Sequence, residues 1–404
     1  MARHKTKIKT WVKALIFLVV VGSLSGLLYF KLFNKETNTN KSNTSNTNNN
    51  AKPKEVKETK KVYKLSMVMG GDALIHSNVF RDAQKSDGTF DFYKQQKYVA
   101  DYIKQFDLRY YNQETIIGGD DRGYSGYPRF NTPSAFADTM RDIGFNMVSL
   151  ANNHSMDQGV QGVLNSVNYW KNTDVMWSGQ ADSEETRTNY IIKEKNNITY
   201  AMLSYTEHTN GLPLPSDKPY LVNVWNDEKV KADVEYLRDK VDVLIVAMHW
   251  GEEYTHVPTQ SERTKAQFLA DLGVDIVIGA HPHVVQPIEK IGNTVIYYSL
   301  GNYLSNQIED YKRVGLLGTL NITKTVENGE SKIEISDVGG ALIFTWRHVP
   351  SYSGHIIIPF TNSEIAKYLT NYESNYEKFK NIVTGGNDEY YIEPLFSQIE
   401  NTEG

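Results

Sequence analysis

Two uninterrupted apolar runs limit most strongly what this chain can fold into. The runs "VLIVAM", residues 243–248, and "IVIGA", residues 276–280, each follow a stretch with helical periodicity. A strand that is apolar on both faces must be covered on both faces, and sheets flanked by helices provide that cover. Strand-like and helical stretches alternate from residue 62 onward, and antiparallel-looking runs occupy residues 314–346. The sequence therefore predicts an α/β fold, a layered sandwich of mixed sheets with flanking helices.

Several local elements can be placed within this pattern. Apolar residues near helical spacing predict a helix over residues 91–106 and a last helix over residues 362–381. The pair Asn196-Asn197 between two strand-like runs predicts a β-hairpin, and "ENGE" at residues 327–330 predicts a second turn.

The first 33 residues differ in kind from the rest. Residues 14–30 are uncharged and apolar, and with their apolar flanks they reach membrane-spanning length. Cations precede the run without any acidic residue, at Arg3, Lys5, Lys7, Lys9 and Lys13. By the positive-inside rule we expect residues 1–33 to be a basic cytoplasmic tip and a single-pass cell-membrane anchor, with the rest extracellular. A cleavable signal peptide is the alternative, although the run is long for one and no A-x-A-like site follows.

Composition divides the remainder of the chain. Residues 34–61 are nearly free of apolar side chains and rich in Asn, Thr, Ser and Lys, which predicts a disordered stalk. The main domain is expected over residues 62–361, and a C-terminal helix and tail over residues 362–404. The net charge of −5 gives no bulk attraction to nucleic acid, so no nucleic-acid partner is expected. The absence of cysteine excludes disulfides and thiolate metal sites.

Side chains that can ligate metals follow five of the predicted strands. Ligands in open α/β sheets bind beyond the carboxyl ends of strands. The candidates are Asp72 and His76, Glu114, then Asn152, Asn153, His154 and Asp157, then His249, Glu252 and Glu253, and finally His281 and His283. Mixed imidazole and oxygen donors suit Mn, Zn or Fe better than Mg or Ca alone. This set fits a site for two divalent ions, in which a carboxylate bridges the metals.

A resemblance to a known family rests on these same segments. The motifs "GGDALIH", "NQE", "LANNHSMDQG", "MHWGEEY", "GAHPHVVQPIE" and "YSLGNYL" resemble those of the CapA/PgsA family of poly-γ-glutamate capsule synthesis proteins. That family is similar to the calcineurin-like metallophosphoesterases, and the resemblance covers about residues 67–304. It implies a role in the synthesis or export of an anionic polymer such as poly-γ-glutamate. It also implies membrane partners, the subunits of a capsule synthetase complex.

The resemblance carries roles over to individual residues. The implied metal ligands are Asp72, Glu114 as the bridging group, Asn153, His249, His281 and His283. His154 is the implied acid or phosphate contact, and His76 is a further catalytic candidate. Asp157, Glu253 and Asn302 are expected to orient the ligands. The chain departs from the phosphoesterase pattern twice: the first motif is not Asp-x-His, since His76 lies four positions beyond Asp72, and the bridging position is Glu rather than Asp.

Ordinary structural roles remain open for the same residues. Asp72 could cap a helix, Asn153 could sit in a left-handed turn, and Glu114 could be a surface acid. His249 could be a core histidine, and His281 with His283 a hydrogen-bonded turn pair. Four histidines lie off the motif pattern and are expected to face solvent: His208, His256, His348 and His355.

Three functions are compatible with the sequence. The first is capsule-polymer biogenesis, in which metals or a local basic patch must attract the polymer, because the net charge of −5 repels it. The second is a metal-dependent hydrolase, a phosphoesterase or an esterase/amidase of cell-envelope material, with His154 as general acid. The third is a non-catalytic scaffold of the capsule synthetase complex that retains the fold alone.

Overall fold

A computed structural model describes residues 60–399. The predicted anchor at residues 14–30 and nearly all of the predicted stalk lie outside the described residues. Within the described part, no helix has the length and apolar character needed to cross a membrane.

The described residues form two sheets and a set of mostly short helices. The strands are β1 (Lys61–Ala73), β2 (Leu108–Asn112), β3 (Met147–Ser149), β4 (Met176–Ser178), β5 (Ile192–Lys195), β6 (Ile198–Thr206), β7 (Val243–His249), β8 (Ile276–Ala280), β9 (Ile288–Ile291), β10 (Thr294–Tyr297), β11 (Asn302–Leu304), β12 (Val314–Glu327), β13 (Glu330–His348), β14 (Ser353–Pro359) and β15 (Tyr391–Ile392). The helices are α1 (Ser77–Ala83), α2 (Tyr93–Gln96), α3 (Ala100–Ile103), α4 (Ser134–Asp142), α5 (Gly159–Lys171), α6 (Glu184–Thr188), α7 (Asp227–Arg238), α8 (Gln260–Asp271), α9 (Ile365–Tyr368), α10 (Tyr372–Thr384) and α11 (Phe396–Ile399). Two 3₁₀ turns occupy Asp120–Arg122 and Asp310–Lys312.

The first sheet is mixed. Its order is β14-β13-β12-β1-β2-β3-β4, with β11 also paired to β1 and β15 to β13. Strands β1 to β4 run parallel, so their carboxyl ends share one edge. Strands β12, β13 and β14 continue the sheet in antiparallel fashion.

The second sheet has the order β5-β6-β7-β8-β10-β9. Its four central strands are parallel, and β5 and β9 close the two edges antiparallel. The predicted hairpin is confirmed, since Asn196 and Asn197 join β5 to β6 with φ of 51° and 58°, a left-handed pair that asparagine tolerates. The second predicted turn also joins a hairpin, between β12 and β13.

The main core lies between the two sheets. Met67 and Tyr110 of the first sheet share one apolar cluster with Met202, Ile245 and Ile278 of the second. The outer face of the first sheet packs against α4 and α5, and that of the second packs against α7 and α8. The predicted α/β sandwich of mixed sheets with flanking helices is therefore confirmed.

Two predicted helices are broken in the structure. The stretch 91–106 forms the separate short helices α2 and α3, and the last helical stretch is divided into α9 and α10. Leu369, between α9 and α10, has an extended backbone with φ −138° and ψ 102°, and its side chain enters the main core together with Ile365, Tyr376 and Phe379. The segment that contains α9 and α10 therefore packs onto the first sheet, and burial of its apolar side chains holds it there.

Candidate metal centre

The polar residues that follow the parallel strands meet where the carboxyl edges of the two sheets face each other. Asp72 is the penultimate residue of β1 and lies in register with Asn112 of β2 and Asn302 of β11. His249 ends β7 opposite Ala280 of β8. The first sheet thus contributes carboxylates and the second contributes imidazoles.

Two groups of side chains in this cluster could each hold a metal ion. Glu114, His249 and His281 form one group, and Asp72, Glu114 and His283 form the other. Within each group the candidate ligand atoms lie within 4.8 Å of one another. All five side chains are buried. Glu114 belongs to both groups, which is the position of a bridging carboxylate.

Glu114 has no donor for its carboxylate among the described residues. Both of its oxygens are buried without a hydrogen-bond partner. Oε1 lies 3.7 Å from His249 Nε2 and 3.5 Å from His283 Nε2. Burial raises the pKa of Glu114 well above its usual value, against the opposing effect of His283. A buried carboxylate without donors is unfavourable, and a cation would satisfy both oxygens.

Asp72, in contrast, is fully held in place. Its Oδ1 accepts a hydrogen bond from Asn112 Nδ2 at 2.9 Å, and its Oδ2 accepts one from the His281 backbone N–H at 3.2 Å. The preceding Gly71 explains how β1 approaches so closely, because a Cβ at that position would lie 1.9 Å from the carbonyl oxygen of Gly301. Packing at this strand end therefore requires glycine at position 71.

His249 and His281 are buried imidazoles with lowered basicity. Burial, and then the neighbouring histidines, lower the pKa of His249 well below its usual value. Burial, and then His283, lower the pKa of His281 to about 3. His281 Nδ1 is buried without a hydrogen-bond partner among residues 60–399, and its backbone adopts a φ of 98°, which is uncommon for a residue other than glycine. Neutral imidazoles are the form that binds metals.

His283 lies against the carboxylates. Burial lowers its pKa, but Glu114 and Asp72 outweigh burial and raise it to about 9. Its Nδ1 lies 3.1 Å from both Asp72 Oδ2 and Asn302 Oδ1. Asn302 Nδ2 donates to the carbonyl oxygens of His283 at 3.1 Å and Lys312 at 2.8 Å. Asn302, predicted to orient the ligands, thus touches both the ring and the backbone of one of them.

Three side chains of the segment "NNHSMD", which follows β3, make separate contacts in the cluster. Asn152 shapes the loop, since its Oδ1 accepts from the His154 N–H and its Nδ2 donates to the Gln113 carbonyl. Asn153 Oδ1 lies 3.0 Å from His249 Nε2. His154 Nδ1 lies 2.8 Å from Asp157 Oδ2. A plain turn after β3 could not supply these side chains to the cluster.

Phe130 separates the two candidate catalytic histidines. Its ring meets that of His154 edge-on with centroids 4.7 Å apart, and that of His76 with centroids 5.5 Å apart. Its backbone is fixed by Asp157, whose Oδ2 accepts from the Phe130 N–H at 2.7 Å, and by Gln158 Nε2, which donates to its carbonyl at 2.9 Å. Asp157 therefore orients both an imidazole and an aromatic wall.

His76 belongs to neither ligand group. It is half-buried, its Nδ1 lies 3.2 Å from the Asn306 backbone nitrogen, and burial lowers its pKa to about 4. Asn306 Oδ1 in turn lies 3.0 Å from Nε2 of His355, whose Nδ1 lies 2.9 Å from Asp82 Oδ2. The expectation that His355 faces solvent is wrong, because packing of β14 against α1 and α2 leaves it 2% exposed. No local spacing in the sequence signals this network.

The other off-motif residues lie at the periphery. His208 and His348 are exposed and His256 is half-buried. His208 still approaches the cluster, with its ring centroid 5.5 Å from that of His281. Glu252 and Glu253 are exposed; the charge of Glu253 contributes to the raised pKa values of Glu114 and His283.

Comparison with known proteins gives the family. The family "Bacterial capsule synthesis protein PGA_cap" matches residues 66–307, a span that contains both ligand groups. The chain belongs to this capsule synthesis protein family. The predicted resemblance to CapA proteins is thereby confirmed.

Two curated CapA proteins illustrate the relationship. The chain is 31% identical to the PGA biosynthesis protein CapA of Bacillus subtilis over 211 residues, 49% of this chain and 52% of that protein. It is 27% identical to the capsule biosynthesis protein CapA of Bacillus anthracis over 253 residues, 60% of each chain. The chain thus spans about half to three fifths of the length of these relatives.

Solved structures show weaker likeness. An NAD nucleotidase of Haemophilus influenzae matches with a TM-score of 0.41 and 10% identity, over 84% of this chain and 59% of that one. A hypothetical protein of Thermus thermophilus matches with a TM-score of 0.40 and 14% identity, over 68% and 99%. Similarities of this size support no statement about function.

Proposed function

We propose that this capsule synthesis family member acts at the outer face of the cell membrane, in the synthesis or export of poly-γ-glutamate or a similar anionic polymer. Its site would hold two divalent metal ions that contact an acidic end of that polymer. The observation that carries the proposal is Glu114, which is shared by two groups of potential ligands and whose two oxygens accept no hydrogen bond from any described residue.

The donor set fits such ions. Asp72, Glu114 and His283 would hold one ion, and Glu114, His249 and His281 the other, with Asn153 beside His249 as a further oxygen donor. Imidazoles mixed with carboxylates favour Mn, Zn or Fe. When bound, such ions polarise a carbonyl or phosphoryl oxygen and lower the pKa of a bound water.

The metals would also resolve an electrostatic conflict. A chain of net charge −5 repels a polycarboxylate at long range. Ions in the cluster would supply positive charge where a polymer end must bind. The anchor proposed at residues 14–30 and the stalk at 34–61 would hold the site near membrane subunits of a capsule synthetase complex.

The test is the metal content of the full chain, purified in detergent without a histidine tag. We expect about two ions per chain by mass spectrometry, as in other two-metal sites, and a clear fall in His281→Ala. The matched control is His348→Ala, which replaces an exposed histidine and should leave the content unchanged. Absence of metal even after incubation with Mn or Zn would refute the metal site and favour the scaffold role.

A second candidate, a metal-dependent hydrolase of cell-envelope material, is favoured by the pairing of His154 with Asp157. The carboxylate fixes the ring through Nδ1 at 2.8 Å, which leaves Nε2 to donate a proton to a leaving group. We expect turnover of phosphoesters or γ-glutamyl amides that falls about 10²- to 10⁴-fold in His154→Ala, with metal content unchanged. Asn293→Ala, which replaces an exposed asparagine between β9 and β10, serves as the control. Full metal occupancy without turnover of any of these substrates would exclude the hydrolase and leave the polymer role.

A further inference from the structure

A cavity that lies outside the cluster of candidate metal ligands is lined by two arginines, Arg313 and Arg347. It has a volume of about 410 Å³ and lies between the end of β13, the 3₁₀ turn Asp310–Lys312 and residues 368–371. Its walls include Arg313, Trp346, Arg347, His348, Tyr368 and Thr370.

Arg347 is a buried cation that has no anionic partner in the part of the chain that the structure describes. It is 2% exposed. Its Nη2 donates to the carbonyl oxygen of Gln307 at 3.0 Å, while Nε and Nη1 have no hydrogen-bond partner among the described residues. The ring of Tyr352 lies 4.4 Å from the guanidinium carbon, a contact that attracts the cation but does not neutralise it.

Arg313 adds to the positive charge. It is 8% exposed and pairs with Asp310, whose side chain is 57% exposed. The cavity wall therefore contains two guanidinium groups and one carboxylate, which is paired with Arg313. Burial lowers the pKa of Arg347, and the charge of Arg313 lowers it further. A buried charge without a counterion is strongly unfavourable, so an anion in this cavity would remove a large penalty.

The cavity is connected to the metal cluster through one short segment. Arg347 holds the carbonyl of Gln307, and the neighbouring Asn306 N–H lies 3.2 Å from His76 Nδ1. Gln307 Nε2 also lies 3.5 Å from the hydroxyl of Tyr254, whose ring centroid is 6.1 Å from that of His283. The same segment thus contacts the cavity on one side and the site on the other.

We propose that this arginine cavity binds a carboxylate of the acidic polymer, as a subsite beside the metal centre. The identity of the polymer rests on the proposed function, whereas the need for an anion rests on Arg347 and Arg313 alone. Glutamyl carboxylates and guanidinium groups match in shape and charge, since the planar fork donates two parallel hydrogen bonds.

The first test is calorimetric binding of a γ-linked glutamate oligomer to the full chain. Loss of a charged hydrogen bond predicts that Arg347→Met weakens binding by about tenfold or more. Arg263→Met is the matched control, because Arg263 lies on the exposed face of α8 and pairs with Glu289. This variant should bind the oligomer with the affinity of the native chain. His281→Ala should keep the part of the binding that depends on Arg347, which separates this subsite from the metal centre.

A second variant covers the case in which Arg347→Met does not fold. Thr370 is exposed and lines the cavity, so Thr370→Glu would place a carboxylate beside the arginines. We expect this variant to have a higher melting temperature and to lose oligomer binding. A matched Thr370→Gln variant should do neither.

Several outcomes would overturn the inference. Equal oligomer affinity in Arg347→Met and the native chain would do so, as would binding lost in His281→Ala alone, which would leave the metal-site proposal standing. Inorganic phosphate is the competing source of an anion. If inorganic phosphate binds the native chain but not Arg347→Met, while the oligomer shows no binding that depends on Arg347, the cavity is a phosphate site and the polymer subsite is wrong.

Discussion

The candidate metal centre and the arginine cavity are opposite in charge, and each contains a buried charged group that lacks a partner. Among residues 60–399, the carboxylate of Glu114 in the first has no donor, and two nitrogens of Arg347 in the second have no acceptor. Asp233 shows the usual alternative, since this buried carboxylate accepts hydrogen bonds from Arg187, Tyr190 and Tyr205. A buried charge that the chain itself satisfies stabilises structure, whereas one that it leaves unpaired indicates the sign of an absent ligand.

The largest expected effect is the stabilisation by Mn²⁺ in thermal unfolding, which should depend on the candidate metal ligands and not on the arginine cavity. Mn²⁺ at about 100 times its dissociation constant should raise the free energy of unfolding of the native chain by about 2.7 kcal/mol for each ion bound. Glu114→Gln should abolish this gain, because the ligand common to both groups loses its charge. Arg347→Met should retain it. If both variants lost the gain equally, the two regions would not be independent.

A smaller effect is expected from Asn302, which orients His283. Asn302→Ala removes the contact with the ring and the hydrogen bond to the His283 carbonyl, and such changes typically weaken metal binding about 10- to 100-fold. Titration with Mn²⁺ under competition by a chelator would measure the change. Asn293→Ala, in the turn between β9 and β10, replaces an exposed asparagine and should bind metal as the native chain does. Native affinity in Asn302→Ala would mean that Asp72 alone fixes the ring.

The smallest effect concerns pH, which should act on one region only. His283 has a pKa raised to about 9 in the metal-free chain, so its proton stabilises the fold below its ordinary pKa of about 6.5. That contribution should be lost as the pH rises through 9, and metal affinity should increase over the same window because the proton must leave. Calorimetry in buffers of different ionisation enthalpy would count the released protons. The affinity of the oligomer for the cavity at Arg347 should not change with pH over this range. If it changed in parallel with the metal affinity, the two regions would not be independent.

The sequence predicted the candidate metal ligands better than the cavity for a topological reason. Asp72 and Glu114 lie at or just beyond the ends of parallel strands of the first sheet, and the three histidines at or just beyond the ends of parallel strands of the second, so each set is expected at the carboxyl edge of its own sheet. The facing of the two edges comes from packing of the sheets and is not encoded in the α/β pattern. The same motifs predicted the family, which the comparison confirmed.

The arginine cavity and the hydrogen-bond network around His355 could not be predicted from the sequence pattern. Arg347 and His355 are buried because β13 and β14 pack against segments distant in the chain, and no periodicity encodes that packing. The break between α9 and α10 was missed for a related reason, because burial of Leu369 in the core overrides helical spacing. Tertiary contacts decided each of these features.

The position of Glu114 between two facing sheets has a mechanical consequence. Each group of ligands takes side chains from both layers of the sandwich, carboxylates from the first sheet and imidazoles from the second. An ion bound there would cross-link the layers in a chain that contains no cysteine to do so. Amide hydrogen exchange in β1 and β7 would then slow together when the metal is loaded, as it does on either side of a covalent staple.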